Sequence, residues 1–403
     1  MQRFETHARD FDWRAERLEW PLAAQVGPGL AGAIACDTAI SWVDAARGAL
    51  YYRGIPIADI AARYDLEQVA YLLIDGRRPE DDPESLAAFR RRLADSRALP
   101  QNVVDIVRSL PPDTHPTRLL RAGVSALGCF ELTADDDLSG TVIWEDLRIV
   151  GQMAELVRVV TCHVAGLEHQ PTDFSTTLAQ GVIQALEPRC FSDDEVRLLD
   201  LCWVLYADHG LDAPTFTGMV VGSCRSDPYY DVVAGLCALR GPLLGGAGEQ
   251  VLRQLLPLAD PDAARAWVAA ALARGERIAG FGHRVFHGVD PRVAMLRDEA
   301  RRLAAAAGRQ RLFDVASAVE EETTRRLAAR GLATNANFYA AIVYHLLGAR
   351  PSLVPCLYAV GRVVGIVARV REYLEHNRLF RPESRYVGPP PRPYVPISAR
   401  SRS

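Results

Sequence analysis

Gly280-Phe281-Gly282-His283-Arg284-Val285, followed by Asp290-Pro291-Arg292, is the stretch on which the reading of this chain turns. Two glycines keep the backbone bare before a histidine, and a proline-fixed turn delivers an arginine nine residues after it. An imidazole and a guanidinium so placed suit a small anionic carbonyl compound.

The rest of the chain narrows the class. Its 403 residues are enough for two or three domains and a large buried core. A net charge of −4 gives no reason to expect nucleic acid or an anionic membrane as partner. All 46 basic residues are arginine. Without lysine, Schiff-base and lysine–pyridoxal chemistry are excluded, and any phosphate clamp must use Arg, His or backbone N–H groups. Cys36, Cys129, Cys162, Cys190, Cys202, Cys224, Cys237 and Cys356 form no C-x-x-C pair and are scattered through apolar stretches. They are expected to be buried free thiols of a cytoplasmic protein, with no metal site. The N-terminus has no apolar h-region, so no signal peptide is expected. The apolar stretch Phe338 to Val370 is broken by Gly348-Ala349-Arg350-Pro351 and carries His345, Arg362 and Arg369, which reads as buried helices rather than membrane spans.

Residues 1–25 read as an arm. Val26–Ser41 and Ala49–Ile57 carry short β-like runs that predict a minor N-terminal sheet element. From Asp59 the pattern is helical, as in Leu66–Leu73 and Arg118–Leu127, with proline breakers expected between segments at 79, 83, 111–112, 116, 214, 242, 291 and 351. Leu167–Asp173 reads as a polar loop, and Gly388–Pro396 as part of an extended tail (388–403).

The opening stretch resembles the signature of the citrate synthase family. The likeness continues through Gly29-Leu30-Ala31-Gly32, Leu50-Tyr51-Tyr52-Arg53-Gly54, His115-Pro116 to Gly128, Ala207-Asp208-His209 and Asn377-Arg378-Leu379 to Gly388-Pro389. The resemblance implies an all-α fold with a large domain (26–245 and 335–387) and a smaller, mobile helical domain (246–334) that closes over the substrates. It also implies a homodimer, or a heterodimer with a paralogue, whose C-terminal tail wraps the neighbouring subunit. No permanently bound cofactor is implied; a coenzyme A thioester is the co-substrate.

Members of the family join an acyl-CoA carbon to the keto carbon of oxaloacetate. For the 2-oxo diacid, the resemblance assigns His283 to polarising the keto group, and His209, Arg292, Arg362 and Arg381 to the carboxylates. Arg381 comes from the other subunit in relatives. For coenzyme A, it assigns Gly280, Phe281 and Gly282 to the loop that reads adenine, and His287 to a position commonly basic. Two catalytic positions depart from the pattern. Asn337 stands where relatives have the aspartate that removes a proton from the acyl group. Leu244 stands where relatives have a histidine on the thioester oxygen. An amide has no useful basicity, and losing a general base costs about 10²–10⁴ in rate; losing an oxyanion donor costs on the order of 10²–10³. Tyr206, Gly210 and Asp212 likewise replace a histidine, a glutamate and an asparagine. Three readings follow. One is a diverged carbon–carbon bond-forming acyltransferase, poor with acetyl-CoA and decarboxylative, or with Asp212, His345 or Glu249 as a new base. The second is a non-catalytic carboxylate-binding protein or partner of an active paralogue. The third is an ordinary citrate or 2-methylcitrate synthase.

Overall fold

The computed structural model describes residues 26–130, 143–170, 173–286, 288, 290–391 and 393–394, excepting the side chains of 143–146 and 328. The expected N-terminal arm, His287 and the end of the tail lie outside these residues. Residues 388–391, 393 and 394 are exposed and without regular structure.

The described residues open with a small antiparallel meander: β1 (Ser41–Asp44), β2 (Ala49–Tyr52) and β3 (Ile55–Pro56), in register Ser41↔Tyr52 and Tyr52↔Ile55. Leu50 and Tyr52 point into the core, while Trp42 stacks on Tyr51 on the other face, the alternation a two-faced sheet requires. The run Val26–Ser41 supplies only its last residue to the sheet. Pro28–Leu30 is a short 3-10 turn instead, because Gly29 and Leu30 take positive φ and Pro28 cannot donate.

Sixteen α-helices follow among the described residues: α1 (Ile57–Arg63), α2 (Leu66–Ala70, extended by a π turn over Tyr71–Asp75), α3 (Pro83–Asp95), α4 (Gln101–Ser109), α5 (Pro116–Gly128), α6 (Ile143–Ala165), α7 (Leu178–Ile183), α8 (Asp193–Tyr206), α9 (Ala213–Gly222), α10 (Pro228–Leu239), α11 (Gly246–Leu255), α12 (Pro261–Ala273), α13 (Pro291–Ala306), α14 (Gln310–Leu327), α15 (Ala336–Leu346) and α16 (Val354–Leu374). The starts are locally encoded. Capping boxes at Asp65–Gln68, Thr177–Gln180 and Ser192–Glu195 satisfy orphan N–H groups. Pro83, Pro116, Pro214 and Pro291 lie in the first turns of helices rather than between them, where the missing N–H has no partner to lose.

α16 is the axis of the core. Pro351–Leu374 is long and apolar enough to cross a bilayer, yet its residues 353–370 are buried within the protein, against α6, α8, α9 and α10. A helix apolar all round is a core helix when other helices cover it. Its glycines set the approach: a Cβ at Gly361 would lie 2.6 Å from the Trp203 carbonyl oxygen, and one at Gly365 2.2 Å from that of Ala207. Backbone therefore meets backbone at the end of α8. This contact carries two arginines of α16 under the turn after α8. Arg369 donates to both oxygens of Asp208, Nε to Oδ1 at 3.0 Å and a terminal nitrogen to Oδ2 at 2.9 Å, with both residues buried.

The cysteines correct an expectation. All eight are free, but only Cys162, Cys202 and Cys356 are buried; Cys129, Cys190, Cys224 and Cys237 are exposed. Cys129 and Cys224 follow helix ends and Cys190 lies in a loop, so their apolar sequence neighbours do not enclose them.

Candidate active site

The loop Gly280–Gly282 is held to the start of α15. Phe281 bridges Thr334, Gly282 N–H donates to the Ala333 carbonyl (2.8 Å), and Asn335 N–H donates to that of Gly280 (2.9 Å). The Asn335 side chain caps α15 through the Asn337 N–H and gives its amide N–H to the Gly282 carbonyl (2.8 Å). Gly280 and Gly282 both have φ of 83°, a backbone that other residues adopt only under strain. This loop places His283 beyond α15. The backbone groups assigned to adenine thus already bind 333–335, each carbonyl keeping a second lone pair.

His283 Nδ1 accepts from the Val285 and Phe286 N–H groups, both at 3.0 Å. The proton of the neutral ring must then be on Nε2, which makes Nε2 a donor suited to a keto oxygen. Its ring centroid is 5.0 Å from that of His209, and Phe286 packs on both rings. His209 is buried, and its Nε2 has no hydrogen-bond partner among the described residues. Burial, then the charges of Arg292 and Arg362 and the neighbouring His283, hold its pKa well below the usual histidine range. It is a neutral ring facing a site that lacks a partner for it. The small sheet buttresses this turn: the Tyr52 hydroxyl donates to the Asp208 carbonyl (2.9 Å) and receives the Asp208 N–H (3.1 Å).

Arg292 lies in the first turn of α13, 4% exposed. Asp290 takes its Nε (2.9 Å) and a terminal nitrogen (2.8 Å), and also accepts the Arg292 and Ala336 N–H groups. One carboxylate thus joins the starts of α13 and α15 and fixes the guanidinium. Burial opposes the charge of Arg292, but Asp290 outweighs it and raises the guanidinium pKa.

Arg362 is 1% exposed. One terminal nitrogen donates to Asp212 Oδ2 (2.7 Å) and the other to the Tyr358 hydroxyl (2.9 Å). The Tyr358 ring lies 4.4 Å from that of Tyr206, whose hydroxyl donates to Asn337 Oδ1 (3.1 Å). Hydrogen bonds and ring contacts therefore connect Asp212 to Asn337. Gly248, in the first turn of α11, sits against α15: a Cβ there would lie 3.8 Å from the Asn337 carbonyl oxygen. Leu244 is four residues earlier, in the half-buried turn that enters α11.

His209, His283, Arg292, Arg362 and Asn337 therefore converge. Arg381 stands apart, exposed, with its guanidinium on the Pro382 carbonyl. Its segment is tied to Ser223 through Asn377 and Phe380. The three substitute bases are already engaged. Glu249 pairs with His115 and Arg253, His345 with Arg309 and the Ala349 carbonyl, and Asp212 with Arg362. Among the described residues, no group of three His, Cys, Asp or Glu side chains is placed to hold a metal.

Sequence reasoning missed Phe286, Tyr358 and the role of Asp290. Only two of them left a signal: Asp-Pro-Arg is a helix-capping pattern, and Tyr358 precedes Arg362 by one helical turn. The contact of Phe286 with two histidines exists only in three dimensions.

Comparison with known proteins follows the same lines. The family model described as citrate synthase, C-terminal domain, matches residues 29–383. The citrate synthase of Deinococcus radiodurans is 32% identical, over 94% of this chain and 100% of that protein. The 2-methylcitrate synthase of Shewanella oneidensis is 33% identical, over 93% of this chain and 98% of its own. Among solved structures, the citrate synthase of Thermoplasma acidophilum, a ternary complex with carboxymethyl coenzyme A and oxaloacetate, superposes with a TM-score of 0.86. It is 28% identical and covers 94% of this chain and 100% of that one.

Proposed function

The chain belongs to the citrate synthase family, and from that premise we propose that it joins an acyl-CoA to a 2-oxo acid of oxaloacetate type without abstracting a proton from the acyl carbon. The family supports a citrate or 2-methylcitrate synthase-type reaction. The departure rests on one observation: Tyr206 donates to Asn337 Oδ1, so the amide offers its remaining N–H groups and no base.

A malonyl-type thioester meets that constraint. Its carboxylate carbon–carbon bond breaks, CO₂ leaves, and the bonding pair becomes the enolate, which an Asn337 N–H can stabilise. The enolate carbon attacks the keto carbon, the keto oxygen takes the proton of His283 Nε2, and water then hydrolyses the thioester of the adduct, so that the C–S bond breaks and coenzyme A leaves as the thiol. His209, Arg292 and Arg362 hold the keto acid. Arg381 completes the site of a partner subunit, which its exposure on an extended segment supports, and residues 246–334 close over both substrates.

The test is thiol release with malonyl-CoA, acetyl-CoA and propionyl-CoA, each with oxaloacetate and with its 4-amide, 2-oxosuccinamate. Turnover of malonyl-CoA with CO₂ release supports the reading. Acetyl-CoA turnover near the ordinary enzyme median of about 10 s⁻¹ refutes it in favour of an ordinary synthase. Silence with all three refutes it in favour of a carboxylate-binding partner.

A further inference from the structure

Asp212 is the feature that the reaction above does not use. It caps α9, accepting the Thr215 N–H at 3.1 Å. Asparagine caps helices equally well, so capping explains an oxygen at this position but not a charge. The charge has another consequence, because it lies 2.7 Å from a terminal nitrogen of a fully buried Arg362.

Arg292 is balanced by Asp290, and Arg362 by Asp212. His209 is buried, with no bonding partner for Nε2 among the described residues. Within one chain the carboxylate-gripping groups thus carry no surplus positive charge, and Arg381 reaching in from a second subunit adds one, enough for one carboxylate of the keto acid and not for two. A substrate carboxylate brought to Arg362 would share a single guanidinium with Asp212, in a site where an uncompensated anion costs several kcal/mol. A neutral polar group meets no such conflict. The Tyr358 hydroxyl, having accepted from Arg362, still has its own proton to give.

We propose that Asp212 is a specificity-determining residue that excludes a second carboxylate, so that the keto acid presents a neutral hydrogen-bonding group, such as an amide or ester carbonyl, to Arg362 and Tyr358. This rests on the reading of the site as a 2-oxo acid site and narrows its substrate to a monoanion.

Titration calorimetry on the full-length protein decides it, with oxaloacetate and its 4-amide, 2-oxosuccinamate, as ligands for the wild type and Asp212→Asn. The wild type is expected to bind the amide at least about tenfold more tightly. Asp212→Asn should shift the ratio of the two affinities toward oxaloacetate by about tenfold or more, the effect of one charged hydrogen bond. Wild-type preference for oxaloacetate overturns the inference whatever the variant does. An unchanged ratio in a folded variant overturns it too, and leaves the 2-oxo acid site standing. If neither protein binds either ligand, the site reading fails and the inference with it.

Discussion

Asn337→Asp should restore far less acetyl-CoA chemistry by itself than the loss of a base suggests. A positioned base is worth about 10²–10⁴ in rate, but only if its basicity is kept. Position 337 is the second residue of α15, where the helix dipole favours an anion by about 0.3–1 kcal/mol. The Tyr206 hydroxyl lies 3.1 Å from the side-chain oxygen, and a hydrogen bond to a charged group is worth about 1.5–3 kcal/mol. Together these favour the carboxylate by about 2–4 kcal/mol, or roughly 1.5–3 pKa units at 1.36 kcal/mol per unit. The introduced aspartate would be ionised but a weak base. Adding Tyr206→Phe removes the hydroxyl while keeping the ring that packs on Tyr358, and should raise turnover by a further factor of about ten. Leu244→His should add again by supplying an oxyanion donor, worth at most about 10²–10³ and not strictly multiplicative. Continuous thiol release from acetyl-CoA, with oxaloacetate and 2-oxosuccinamate as acceptors, reads each step. If Asn337→Asp alone gains more than the combination with Tyr206→Phe, the tyrosine is not restraining the site and this reasoning fails.

Other consequences can be measured directly. Asp208→Ala strands Arg369 in the core and should cost about 3–5 kcal/mol in denaturant unfolding; a loss below about 1 kcal/mol would contradict the buried pairing. Burial, and then the charge of Asp65 on Glu67 and of Glu67 on Asp200, raise the carboxyl pKa values of Glu67 and Asp200. The folded protein therefore holds protons that the unfolded chain releases, and their contribution to stability is complete below about pH 4 and declines as pH rises through the raised values. Asp200→Asn should flatten that decline in a series of melting temperatures, and an unaltered slope would count against it. His283→Ala mixed with Arg381→Ala should regain ligand binding at a hybrid site if Arg381 acts across subunits; light scattering that shows only monomer at micromolar concentration rules this out.

The sequence by itself determined the family and the helical class, and it picked out His209, His283, Arg292 and Arg362, which the fold brings together, but not the separate place of Arg381; the first two depend on local signals. Capping boxes, prolines in first turns and helical periodicity act within a few residues. The small sheet was legible in Ala49–Ile57 but misplaced at Val26–Ser41, where glycines and a proline prevent pairing. Exposure of the cysteines was not legible, since apolar neighbours along the chain do not say which face a packed helix turns inward. What only the tertiary structure decided is which charges and hydrogen bonds are already taken. Arg362 and Asp212 are 150 residues apart in sequence, and Tyr206 and Asn337 are 131 apart. They meet because Gly361 and Gly365 let α16 close onto the end of α8, and because the Gly280–Gly282 loop pins the start of α15 beside it. A sequence shows which ionisable and polar groups a site contains. Their free charge and donor capacity depend on pairing distances of about 3 Å, and packing sets those distances.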